Sequence, residues 1–97
     1  MITSVKGMRD LLPPETRVWN RLEETTRSVF SLYGYDEIRT PSLEPTELFV
    51  RSVGEASDIV SKEMYSFVDQ GGDEITLRPE GTAGIARAVI SGGLQQS

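Results

Sequence analysis

Two short alternating runs, Met64 to Val68 and Glu74 to Arg78, are separated by Asp69-Gln70-Gly71-Gly72-Asp73. Period-two alternation sends successive side chains to opposite faces of a strand. A connection carrying two glycines can reverse the chain within a hairpin, and hairpin strands pair antiparallel. The rest of the chain contains neither a βαβ pattern nor a glycine-rich phosphate loop, which argues against Rossmann and P-loop folds. Helical patterns flank the hairpin on both sides, so the expected class is α+β.

The first of those helices follows Pro13-Pro14. Proline is tolerated in a first helical turn because its missing N–H had no intrahelical partner, and Glu15 suits the positive end of the helix dipole. Val18, Leu22, Val29 and Tyr33 then recur at helical spacing, with Trp19, Thr26 and Phe30 beside them. This is one apolar face, with Arg17, Arg21, Glu24 and Arg27 mostly turned away. Trp19 and Phe30 are expected in the core. Gly34 is placed to end the helix. Tyr35 to Thr40 reads as a short strand, and Pro41 puts its end at an edge or bulge. Thr46 is positioned to cap a short helix through Arg51. Gly54 to Glu63 is polar and suggests one helical turn within a loop. Thr82 to Ile90 forms an alanine-rich helix closed by Gly92-Gly93, with a frayed tail from Leu94 to Ser97.

Composition narrows function. A chain of 97 residues is one domain at most, and at this size folding buries only about 60–65% of the unfolded surface. It has no cysteine and no histidine, which removes the commonest metal-binding and acid–base side chain. The formal net charge is −5, and the ten basic residues are spread singly. Polyanion binding draws on clustered Lys and Arg, so strong independent binding of nucleic acid is not expected. No stretch approaches the roughly 20 apolar residues of a membrane span. Residues 1–10 lack a secretory signal's apolar run, and the lack of cysteine fits a reducing cytosol, so the expected location is cytoplasmic.

The densest chemical feature is Pro79-Glu80-Gly81-Thr82, between a strand end and a helix start. A carboxylate held there can grip a cation such as an amino group through charge-assisted hydrogen bonds. Gly81 lets a ligand approach the backbone closely, and the Thr82 hydroxyl can cap the helix or face a ligand. The same residues also make an ordinary helix N-terminus with an acidic group near the dipole. Residue types alone leave both readings open.

Four segments in order carry a resemblance. Lys6-Gly7-Met8-Arg9-Asp10-Leu11-Leu12-Pro13 is similar to the entry segment of histidyl-tRNA synthetases. Tyr33-Gly34-Tyr35-Asp36-Glu37-Ile38-Arg39-Thr40-Pro41 resembles class II motif 1. Lys62-Glu63-Met64-Tyr65-Ser66-Phe67 looks like the run into that family's hairpin, and Leu77-Arg78-Pro79-Glu80-Gly81-Thr82-Ala83 like its histidine-binding loop. The resemblance covers about Lys6 to Leu94. It implies a partial class II catalytic fold over residues 1–97, with a long N-terminal helix, antiparallel strands and a C-terminal helix. It also implies histidine contacts by Glu80 to the α-amino group, by Gly81 and by Thr82, and a homodimer interface involving Arg39 and Pro41.

The family's reaction activates histidine with ATP and Mg²⁺ and transfers it to tRNA(His). The resemblance places the arginines of motifs 2 and 3 after Ser97. The chain is therefore expected to be an amino-terminal part that holds no catalytic residue and no metal ligand, binds neither cofactor and is inactive alone. Two alternatives stand beside this. One is the regulatory, synthetase-like subunit of ATP phosphoribosyltransferase, which departs from Glu-Gly-Thr at this loop, whereas Glu80, Gly81 and Thr82 are kept here. The other is a non-catalytic interaction fragment that pairs with a longer protomer. Glu44, Glu47, Glu55 and Asp58 are read as a solvated acidic surface and Arg87 as exposed. Arg78 is either a strand-face residue or an active-site charge.

Overall fold

The computed structural model describes residues 1–53 and 63–94, for 51–53 the backbone only. The turn of helix expected between Gly54 and Glu63, the side chains of Glu55 and Asp58, and residues 95–97 lie outside the described residues. The chain divides into two compact units, Met1–Glu37 and Ile38–Ser97.

The first unit is built on α1 (Glu15–Leu32). Arg9 donates from Nη1 and Nη2 to the two Glu15 carboxylate oxygens at 2.9 and 2.8 Å, and Trp19 Nε1 donates to Glu15 Oε2 at 3.4 Å. The Arg9 guanidinium, and after it the Trp19 N–H, hold the Glu15 carboxyl below its usual pKa. The helix ends as its sequence dictates. Tyr35 N–H reaches Phe30 O, Gly34 N–H reaches Ser31 O, and Gly34 takes φ +80°. These bonds are the two of a Schellman motif, completed by the expected apolar contact: the Phe30 and Tyr35 rings meet edge-on with centroids 5.6 Å apart. One expectation fails here. Trp19 and Phe30 are 42% and 51% exposed, so neither is a core residue. Helical spacing shows that an apolar face exists, and α1 buries none of its residues.

The second unit holds a three-stranded antiparallel sheet of β1 (Leu43–Pro45), β2 (Ser66–Val68) and β3 (Glu74–Leu77) in the order β1-β3-β2. The β2–β3 hairpin forms as expected. Asp69 Oδ1 accepts from the N–H groups of Gly71 and Asp73, and Gly72 supplies the φ of +90° that closes the turn. The strand expected over Tyr35 to Thr40 does not form; β3 instead pairs with Leu43–Pro45, in the register Leu43↔Leu77, Glu44↔Thr76, Pro45↔Ile75. A strand exists only where its backbone groups find a ladder, and the expected span is divided between the two units. Pro45, not Pro41, is the proline of the edge strand.

Two helices, α2 (Thr46–Val53) and α3 (Thr82–Ser91), pack against each other, and α2 packs on β1 and β3. Thr46 is the first helical residue rather than the cap. Its Oγ1 lies 2.6 Å from Thr76 Oγ1, which lies 2.7 Å from Ser66 Oγ. Among the described residues, Phe49 and Thr76 are the largest fully buried side chains. Register places Glu44, Thr76 and Ser66 side by side on one face of the sheet. Leu43, Phe67 and Leu77 lie on the other and are exposed.

Two further expectations are corrected on that polar face. Glu44 is 3% exposed, not part of a solvated surface, and Arg87 is half-buried against it. Arg87 Nη2 donates to Glu44 Oε2 at 3.1 Å. Arg87 Nε stands 2.7 Å from Glu44 Oε1, an ion contact whose N–H is not aligned for a hydrogen bond. Burial became affordable because each charge meets the other.

Candidate functional site

The site sits where β3 ends and α3 begins. Leu77 N–H donates to Tyr65 O and Arg78 N–H to Ser42 O, both at 2.9 Å, so the strand is gripped from both sides until its last residues. Arg78 Nη1 donates to Thr40 Oγ1 at 2.9 Å and to Thr40 O at 3.3 Å. This guanidinium, whose role the sequence left open, ties the Thr40–Ser42 segment to the end of β3.

Glu80 then turns back on the helix it precedes. Its Oε2 accepts from Thr82 N–H at 2.7 Å and its Oε1 from Ala83 N–H at 3.0 Å. Two donors that no helix can satisfy internally are thereby met, by an anion at the positive end of the dipole. Gly81, at the N-cap, contributes no side-chain bond. Apart from its chain neighbours, no atom of the described residues stands within 4 Å of the point where a Gly81 Cβ would lie, so among the described residues this side of the backbone is open. Thr82 is the first helical residue; the cap belongs to Glu80.

Glu80 also lines a depression of about 600 Å³, together with Glu63, Tyr65, Phe49, Met64 and Arg78 among others. Two carboxylates beside an aromatic ring suit a cationic or amino-bearing ligand, and Arg78 is already engaged with Thr40. Of the expected contacts, Glu80 lines this depression, while Gly81 and Thr82 adjoin it along the chain only. Arg39 and Pro41, exposed on either side of Thr40, are not among its lining residues. A separate groove of about 730 Å³ lies within the first unit, lined by Leu22, Thr26, Phe30 and Tyr35 and flanked by Arg27 and Glu37. Among the described residues no group of three or more His, Cys, Asp or Glu is placed to hold a metal ion.

A model of the family described as histidyl-tRNA synthetase matches residues 7–93. The chain belongs to the histidyl-tRNA synthetase family. It is 60% identical over 90 residues to a histidine–tRNA ligase of Geobacter metallireducens, covering 93% of this chain and 22% of that protein. It is 57% identical over 96 residues to that of Solibacter usitatus, covering 99% and 23%. The apo histidyl-tRNA synthetase of S. aureus superposes with a TM-score of 0.80 at 39% identity, over 98% of this chain and 22% of that one. A Bacillus halodurans protein described as an ATP phosphoribosyltransferase regulatory subunit/histidyl-tRNA synthetase gives 0.73 at 34%, over 100% and 24%. The chain thus spans less than a quarter of the length of these relatives. Its α+β arrangement of three antiparallel strands and helices is that of the matching part of the synthetase fold.

Sequence reasoning missed the Glu44–Arg87 pair and the Thr40–Arg78 tie. A faint signal was present. Glu44 lies between Leu43 and Pro45, and Gly84 and Arg87 are one helical turn apart on α3, a spacing that puts both on one face.

Proposed function

We propose that this chain is the amino-terminal part of the catalytic domain of a histidine–tRNA ligase, carrying the portion of the histidine site that receives the α-amino group. The observation that carries the reading is Glu80: a carboxylate fixed by two backbone N–H groups at the rim of an aromatic- and glutamate-lined depression. Each of its oxygens keeps acceptor capacity for a substrate ammonium. The open side of Gly81 allows that group close to the backbone, and Thr82 adds a hydroxyl beside it. ATP, Mg²⁺ and tRNA(His) are handled by parts of the enzyme outside this chain, whose own charge of −5 offers a polyanion little. Arg39 and Pro41 contribute to a homodimer interface. The enzyme works in the cytoplasm; no helix among the described residues is long and apolar enough to cross a membrane.

The test is histidine-dependent ATP–pyrophosphate exchange by the full-length gene product, with and without Glu80→Ala. Removing one charge-assisted contact of about 1.5–3 kcal/mol should weaken use of histidine by roughly 10- to 150-fold. The 97-residue chain alone should show no exchange. Reproducible exchange by the isolated chain, lost in Glu80→Ala, would overturn the division of labour proposed here. The second reading, a regulatory subunit of ATP phosphoribosyltransferase, draws on the Bacillus halodurans neighbour, which is less similar than the ligases. Stimulation of a phosphoribosyltransferase by a full-length protein lacking exchange activity would favour it.

A further inference from the structure

Glu80 is fixed to the first turn of α3, so whatever sets that turn sets Glu80. Besides its packing on α2, three contacts on the side of β1 do so. Arg87 meets the buried Glu44 carboxylate at two points, 2.7 and 3.1 Å. Gly84, buried on the same helix face, lets the helix lie so close to β1 that a Cβ there would stand 3.0 Å from Glu44 Oε2 and 3.6 Å from Thr40 Oγ1. That Thr40 hydroxyl in turn accepts from Arg78, two residues before Glu80.

We infer that Glu44 is a positioning residue for the amino-group subsite, acting through Gly84 and Arg87 to fix where α3 begins and hence where the Glu80 carboxylate stands. The inference rests on the histidine-site reading above for its functional consequence, but its geometry does not. A side chain at position 84 asks Glu44 to give by a few tenths of an ångström, and burial and both contacts to Arg87 resist that. Part of the strain of Gly84→Ala is therefore taken up by moving the first turn of α3. Thr82 and Ala83 move with that turn, and the carboxylate they hold is displaced from the depression. Loss of charge in Glu44→Gln releases the same turn by another route, freeing Arg87 to leave the sheet. Neither residue touches the ligand.

Two measurements test this. In the 97-residue chain, amide exchange at Thr82 and Ala83 is compared with that at Leu77 in the sheet. Gly84→Ala and Glu44→Gln should speed the former at least tenfold and the latter less than twofold. In the full-length gene product, both variants should raise KM for histidine at least tenfold with KM for ATP unchanged, and Glu44→Asp, which keeps the charge, should recover part of the loss. Equal changes at all three amides, or equal changes in both KM values, would reduce Glu44 to a general stabilising role and overturn the inference. If either variant unfolds the chain, the other and Glu44→Asp still decide between local and global effects. Failure of the histidine reading looks different: exchange activity then survives Glu80→Ala, while the amide comparison still reports on α3.

Discussion

Thr76→Val removes one oxygen from the most buried position of the sheet and leaves the shape almost unchanged. The Thr76 hydroxyl lies between Thr46 Oγ1 at 2.6 Å and Ser66 Oγ at 2.7 Å, so one substitution breaks two hydrogen bonds. Their consequences differ. Ser66 is exposed on an edge strand and regains water, whereas Thr46 is 8% exposed and is left without this partner. An abandoned buried hydroxyl costs about 1–3 kcal/mol, against roughly 1 kcal/mol net for a bond whose partner is rehydrated. The added methyl returns up to about 0.8 kcal/mol through apolar burial. The balance is a loss of about 1–3 kcal/mol, or roughly 4–24 °C in Tm for a domain of this size. Hydrogen exchange at Leu77 N–H, which bonds Tyr65 O across the hairpin, reads the effect locally. The double variant Thr46→Val/Thr76→Val should recover part of the loss, since both ends of the buried bond are then apolar. A Thr76→Val protein as stable as the parent would refute this account of the hydroxyl chain.

Gly34→Ala forces a Cβ into the left-handed region at φ +80° and should cost about 1–2 kcal/mol, seen as lost helicity at 222 nm. Asp69→Ala removes the acceptor for Gly71 and Asp73 N–H and should lower hairpin protection by about 1–2 kcal/mol, with Asp69→Asn milder because it retains a carbonyl oxygen. Arg9 depresses the Glu15 pKa, so that pair stabilises the fold above the ordinary glutamate range and loses its effect as pH falls through the lowered folded value. A carbon-detected titration should place Glu15 below the ordinary glutamate value, and Arg9→Ala should bring it back up; no change on removing Arg9 would contradict the assigned cause.

What the sequence made legible was local. The α1 stop at Gly34 and the hairpin turn at Asp69–Asp73 are written in residues whose own backbone preferences decide the outcome, and both formed where expected. Pairing was harder. Tyr35 to Thr40 has strand character, yet which segment takes the free edge of β3 depends on contacts across the fold, and Leu43–Pro45 took it. Glu44 and Arg87 are charged and therefore read as exposed; only their meeting across the β1–α3 contact makes burial tolerable. Trp19 and Phe30 show the converse, an apolar periodicity whose face lies exposed. The candidate site was singled out as a short string, Pro79 to Thr82, but the use of Glu80 as its helix's cap was not foreseen.

That cap has a thermodynamic consequence for recognition. A free glutamate loses up to about 1.5–2 kcal/mol of rotamer freedom when a ligand immobilises it, and binding affinity falls by that amount. Glu80 has already surrendered this freedom to Thr82 and Ala83 N–H groups, as part of folding. A cation arriving there meets a carboxylate whose direction is set in advance, so more of the contact energy is kept as affinity. On the proposed reading, the lone pairs not engaged by the helix would define the direction from which the positive charge approaches.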